Sequence, residues 1–178
     1  MTRVRRAVAV LLGAAALPLP TAAAAAAAVP AALAPRASTP PPCTDGQLRI
    51  TRGGGGAGLS HHSTAVLFTN ISTRACTLRG YPGADGLIGS RHDVARRTLI
   101  GYLGGAKGVP RVVLQRGGVA SALVEGNSGC AGQGTPAYTG LLVTAPAGHR
   151  TTRLAFTGAA CGLQVHPIVS GRTGSQHP

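Results

Sequence analysis

Apolar and polar positions alternate over short stretches of this chain, and no stretch carries a convincing helical signal. Leu48 and Ile50 alternate with Gln47, Arg49 and Thr51, which predicts a strand over Leu48–Arg52 with one apolar face. The strongest strand signal is Ser63–Thr69, rich in β-branched and aromatic residues and bounded by Asn70. Asn70–Arg74 then reads as a polar turn and Cys76–Arg79 as the returning strand. Arg111–Gln115 and Val119–Glu125 read as a hairpin over Arg116-Gly117-Gly118. Leu141–Thr144, Thr152–Thr157 and Leu163–Val169 complete the set. Gly53–Gly58 reads as a flexible turn, because no Gly-Lys-Ser/Thr follows to make a phosphate cradle. Gly83–Gly89 is turn-rich around Leu87-Ile88, and Val94–Leu103 mixes arginines with Leu99, Ile100 and Tyr102 without a clear period. About eight short strands, with turn signals roughly every ten residues, predict an all-β sandwich of antiparallel strands.

The N-terminus follows a different rule. Arg3, Arg5 and Arg6 precede an apolar run, Ala7–Leu19, that is too short to cross a bilayer comfortably. Ala22–Ala28 then offers many Ala-x-Ala registers, so residues 1–28 are expected to be a secretory signal peptide. Arg5-Arg6 leaves both the general and the twin-arginine export routes open. Val29–Pro42 is Ala/Pro-rich and ends in Thr-Pro-Pro-Pro, which favours extended polyproline geometry and reads as a linker. The folded domain is expected over 43–171, with 172–178 as a disordered tail. No later stretch reads as a membrane span, so the mature chain is expected to be secreted or cell-wall associated.

Cysteine usage agrees with export. Cys43, Cys76, Cys130 and Cys161 all lie beyond the leader, and an even number in an exported chain reads as a disulfide framework with three possible connectivities. A zinc site would want close pairs such as Cys-x-x-Cys, whereas these cysteines lie some thirty or more residues apart. Charge adds a further constraint. The formal net charge is +13, and about +10 remains without the three leader arginines. A GC-rich genome explains sixteen Arg against one Lys, Lys107, but not the mere four acids, Asp45, Asp85, Asp93 and Glu125. The excess predicts attraction to polyanions, which outside a cell means anionic wall polymers, lipid head groups or acidic proteins. The only aromatics are Phe68, Tyr81, Tyr102, Tyr138 and Phe156, so the core must be built from Val, Leu, Ile and Ala and leans on its crosslinks.

One run of residues carries a resemblance. Phe68-Thr69-Asn70, Ser72, Cys76-Thr77-Leu78 and Gly80-Tyr81-Pro82-Gly83 together resemble the actinobacterial domain-of-unknown-function family 4232. Val112-Val113-Leu114 with Gly117-Gly118, Cys130, Leu141-Leu142-Val143-Thr144, and Cys161 leading to Val165-His166-Pro167 fit the same pattern, over about Cys43 to Gly171. The resemblance implies an exported or envelope-attached, immunoglobulin-like β-sandwich and supplies no activity or functional residue. Within such a sandwich, Cys43–Cys76 and Cys130–Cys161 are the preferred pairings. The chain departs from the family at Glu125, near which members often carry an aromatic, commonly Trp.

Candidate chemistry is sparse. His61 or His62, Asp85 or Asp93, and Ser128 in Gly126-Asn127-Ser128-Gly129 follow a histidine–aspartate–serine order, but the loop carries Asn and Cys where such enzymes carry Asp and Gly. Ser90-Arg91-His92-Asp93 builds no triad, since neighbours on a strand point to opposite faces. His61-His62 with His92, His149 or His166 could bind zinc or copper, yet adjacent strand histidines cannot both point inward and carboxylate support is scarce. Paired carboxylates for glycoside chemistry would have to come from four scattered acids. Arginines interleaved with aromatics, which a specific nucleic-acid interface needs, are missing. Asn70-Ile71-Ser72 matches a glycosylation acceptor but sits in a tight turn. The expectation is a basic, non-enzymatic binding module for anionic wall polymer or another envelope protein, with no metal, cofactor or catalytic residue. The alternatives are a small exported serine hydrolase using Ser128 and a secreted protease inhibitor.

Overall fold

The strand with the strongest signal, β2 (His61–Asn70), lies inside the largest sheet of the computed structural model, which describes residues 38–127, 129 and 136–176. It pairs antiparallel with β1 (Leu48–Gly58) on one side and β8 (Val119–Asn127) on the other. β8 is flanked in turn by β13 (Gln164–Val165) and β14 (Val169–Ser170), and β6 (Arg96–Arg97) closes the far edge in parallel with β13. A second sheet has the order β11 (Thr151–Leu154), β10 (Gly140–Thr144), β4 (Gly83–Ile88), β5 (Arg91–Val94). Two small pairs, β3 (Cys76–Arg79) with β7 (Arg111–Leu114) and β9 (Ala137–Tyr138) with β12 (Gly158–Ala159), complete an all-β, open sandwich. One short 3-10 turn, η1 (Asp45–Gln47), precedes β1, and among the described residues no helix is long and apolar enough to cross a membrane.

Alternation along the strands decides which side is core. Val66 and Phe68 of β2 with Ala120, Ala122 and Val124 of β8 form one buried cluster with Ala84 of β4 and Leu141 and Val143 of β10. Leu78, Val112 and Leu114 of the β3–β7 pair join it. Each fully buried Val, Leu or Phe contributes about 1.5–3 kcal/mol, but the many alanines contribute less. Crosslinking therefore matters, and Cys43 is bonded to Cys76 as expected. The second preferred pairing falls on Cys130, which lies outside the described residues.

Several elements differ from expectation, each for a physical reason. Gly53–Gly58 is not a turn: it extends β1, with a bulge between Arg52 and Gly55. A Cβ at Gly55 would run into the Ser63 carbonyl, so glycine is what lets the two backbones approach. The reversal falls instead on Leu59-Ser60. β7 and β8 both exist but are no hairpin. β7 pairs with β3 and β8 with β2, so Arg116–Gly118 carries the chain from one sheet to another. Gly83–Gly89, read as turn-rich, contains β4, which is paired on both sides and takes its conformation from β10 and β5. Among the described residues fourteen strands replace the eight foreseen, because several are two-residue pairings too short to leave a periodic signal.

The segments flanking the expected domain are tied to it. The last prolines of the linker dock on β3: the Pro41 carbonyl accepts from Thr77 N–H at 2.8 Å, and Cys43 N–H donates to the Thr77 carbonyl at 2.9 Å. Proline can lie along an edge in this way because only its carbonyl is needed. Residues 172–176, expected as disordered tail, are tied down. Gly174 N–H donates to Ser121 Oγ at 2.9 Å and Gln176 N–H to the Gly105 carbonyl at 3.0 Å, while Ser175 is buried.

Candidate functional site

The motif residues are structural. Asn70 is fully buried and organises two turns at once. Its Oδ1 accepts from Ser72 N–H at 2.9 Å, and its Nδ2 donates to the carbonyls of Arg74 at 2.8 Å and Leu114 at 3.0 Å. Its backbone pairs with Gly117 and Gly118 of the β7–β8 crossing. Both amide hydrogens of Asn70 are thereby committed inside the folded protein. Phe68, Cys76 and Leu78 are core residues, Gly80 takes a φ of 112°, and Pro82 is buried. Tyr81 lies under the Arg97 guanidinium, 5.9 Å from the ring centre, while Gly83 begins β4.

The chemistry lies on the other face of the large sheet. There the odd-numbered residues of β8 meet the odd-numbered residues of β2. Glu125 faces Ser63 across one ladder and Gln164 across the other. Two residues further along each neighbour stand His61 and His166, diagonal to the carboxylate. His61 Nδ1 is 3.4 Å from Oε1 and His166 Nε2 is 3.6 Å from Oε2. A loop over 99–105 covers the group. Tyr102 N–H donates to Oε1 at 2.9 Å and Leu103 N–H to Oε2 at 3.3 Å. The Tyr102 ring stacks on His61 with centres 3.7 Å apart, and a Cβ at Gly101 would overlap both Oε2 and the His166 ring. Glu125 is 2% exposed, so two backbone donors and two imidazoles take the place of water.

This arrangement can hold a loop and can respond to protons. Burial pushes His166 below its ordinary value, partly offset by the Glu125 carboxylate and the nearby Leu99 carbonyl. His62, on the opposite face of β2, tilts onto Phe156 at 5.8 Å. Its pKa is lowered by burial and by His61, with Glu125 pulling the other way.

The remaining sequence candidates do not converge. His61 takes Glu125 as its carboxylate neighbour, whereas Asp85 lies 3.8 Å from His92 Nδ1 and Asp93 accepts from the buried Tyr138 hydroxyl. Burial, and then that bond, push the Tyr138 phenol far above its ordinary range. Ser128 lies outside the described residues. His149 contributes its backbone N–H to Asp45 at 2.9 Å, and Arg150 N–H adds a second bond at 3.0 Å. Among the described residues, no three His, Cys, Asp or Glu side chains are placed to hold a metal ion. The Glu125 cluster was not foreseen. Its one signal was an acid, Glu125, near the end of the largely apolar run of β8.

The surface is the mirror image of this economy. All thirteen described Arg and Lys side chains are exposed, and no ion pair between them and a carboxylate forms among the described residues. The four carboxylates are engaged by backbone N–H, histidine or tyrosine instead.

Residues 43–176 match the family model described as Domain of unknown function (DUF4232). No curated protein and no solved structure matches the chain. The matched span takes in every strand, the Cys43–Cys76 bridge and the Asn70 double turn. This chain belongs to the Domain of unknown function (DUF4232) family.

Proposed function

We propose that this chain is an exported, non-enzymatic binding module whose basic surface holds it to anionic polymers of the cell envelope. The observation that carries the reading is the separation of charges: among the described residues thirteen exposed cations form no ion pair with a carboxylate, while the four carboxylates lie against backbone N–H, tyrosine or histidine groups instead. Such a surface attracts any dense row of phosphates or carboxylates, over a range set by salt. The leader pattern, the proline-rich approach and the disulfide support a place outside the cytoplasm.

Retention on immobilised wall polymer tests this. At about 0.1 M salt, where the screening length is about 10 Å, the protein is expected to bind. At about 1 M, with screening at about 3 Å, it is expected to elute. No retention, or retention indifferent to salt, removes the reading. Labelling by a fluorophosphonate probe that is lost in Ser128→Ala would replace it with the hydrolase alternative.

A further inference from the structure

Exposed apolar side chains gather where the β1–β2 turn meets the 99–105 loop. Leu59 at the turn is 92% exposed, Ile100 82% and Tyr102 72%. The two segments that carry them are tied to each other and to the sheet. The strand pair that ends in the turn touches the loop twice, through the His61–Tyr102 stack and through Leu103, whose Cδ2 lies 3.8 Å from the Cβ position of Gly58. The loop itself is bonded to Glu125 by two backbone N–H groups.

Cations line the grooves beside the loop. Arg96 lines a groove with Ile100 and Tyr102, Lys107 lines another with Leu99 and Ile100, and Arg172 lines a third with Leu103. The acid nearest the loop, Glu125, is sealed beneath it. A partner for this tip must therefore be negative and must also offer an apolar phase. A sugar–phosphate polymer satisfies only the first requirement, and leaves Leu59 and Ile100 without a reason to stand in water. A bilayer with anionic lipids satisfies both: aliphatic side chains enter the headgroup–acyl boundary, a tyrosine sits at the interface, and long cationic side chains reach phosphates.

We propose that the Leu59 turn and the Leu99–Tyr102 loop form a docking tip for an anionic lipid surface, with Leu59, Ile100 and Tyr102 entering the headgroup layer and Arg96, Lys107 and Arg172 meeting lipid phosphates. This goes beyond polymer binding and fails separately from it, because the vesicles contain no wall polymer.

The test is co-sedimentation of the full chain with phosphatidylcholine vesicles, with and without phosphatidylglycerol. The variants are Leu59→Asn, Ile100→Ser and the two combined. Both positions are exposed, and Leu59 sits at a φ of 47° that asparagine adopts readily, so the variants keep the fold and an unchanged circular-dichroism spectrum checks it. Binding to the phosphatidylglycerol vesicles alone, weakened at least tenfold in the double variant, is expected from removing two buried aliphatic chains. Binding unchanged in the double variant would reduce the contact to electrostatics and overturn the proposal. Absence of vesicle binding overturns it too. If the same substitutions dissolve a homodimer in analytical ultracentrifugation while vesicles stay bare, the tip is a self-association surface instead.

Discussion

His166 turns burial into a dependence on acid. Its ring is fully enclosed, and its pKa in the folded protein lies below the ordinary 6.5 that applies once the chain unfolds. Between those two values the unfolded state binds more protons, so stability rises with pH through that window and is complete above it. His62 adds the same sign. The groups facing His166 are Glu125 from β8 and, beyond it, His61 from β2. Denaturant midpoints should therefore be level from neutral pH up to the ordinary tyrosine value of 10.0, above which the raised Tyr138 phenol costs stability, and fall as pH drops below 6.5. The slope is at most about 1.4 kcal/mol per pH unit for each histidine. His166→Gln is expected to flatten this fall while lowering stability overall. An undiminished slope in that variant would place the acid sensitivity elsewhere.

At the scale of elements, the β1–β2 connection is the place where local geometry and residue choice disagree. Leu59 and Ser60 have φ of 47° and 64°, the positive pair that a two-residue hairpin turn requires and that Asn-Gly supplies most easily. Leu59→Asn is expected to stabilise the protein by roughly 0.5–1 kcal/mol, read as a higher melting temperature. A lower one would mean the leucine makes compensating contacts in solution. The same region shows what periodicity can reveal. The start of β1 was legible because its side chains alternate, whereas β2, buried on both faces, was legible from its run of β-branched and aromatic residues ended by Asn70. The glycine half of β1 was not, since its strand character comes from close backbone approach to β2 and leaves no pattern. β4 was missed because pairing on both sides overrides its weak propensity. Recognising β7 and β8 did not reveal that they part company, as pairing partners lie far away in sequence. The Glu125 cluster was hidden for a similar reason: diagonals across two ladders bring together residues 61, 125 and 166, and neither ladder was known.

For the whole molecule, the balance between a thin core and covalent closure decides stability. The Cys43–Cys76 bond joins residues 33 apart, and in the chain-entropy description such a closure is worth about 3–4 kcal/mol. Cys43→Ser with Cys76→Ser should lose about that amount in denaturant titrations, a large share of what a domain this size possesses. A loss below about 1 kcal/mol would show that the unfolded chain already keeps residues 43–76 compact without the bond. The position of the bridge has a mechanical side as well. A pull applied ahead of Cys43 enters the fold at the sulfur link and is handed to β3. Residues 44–75, which include η1, β1 and β2, lie inside the covalent loop and cannot be paid out by tension from that end. A tethered molecule of this kind would resist being drawn taut until its interior, rather than its leading edge, gave way.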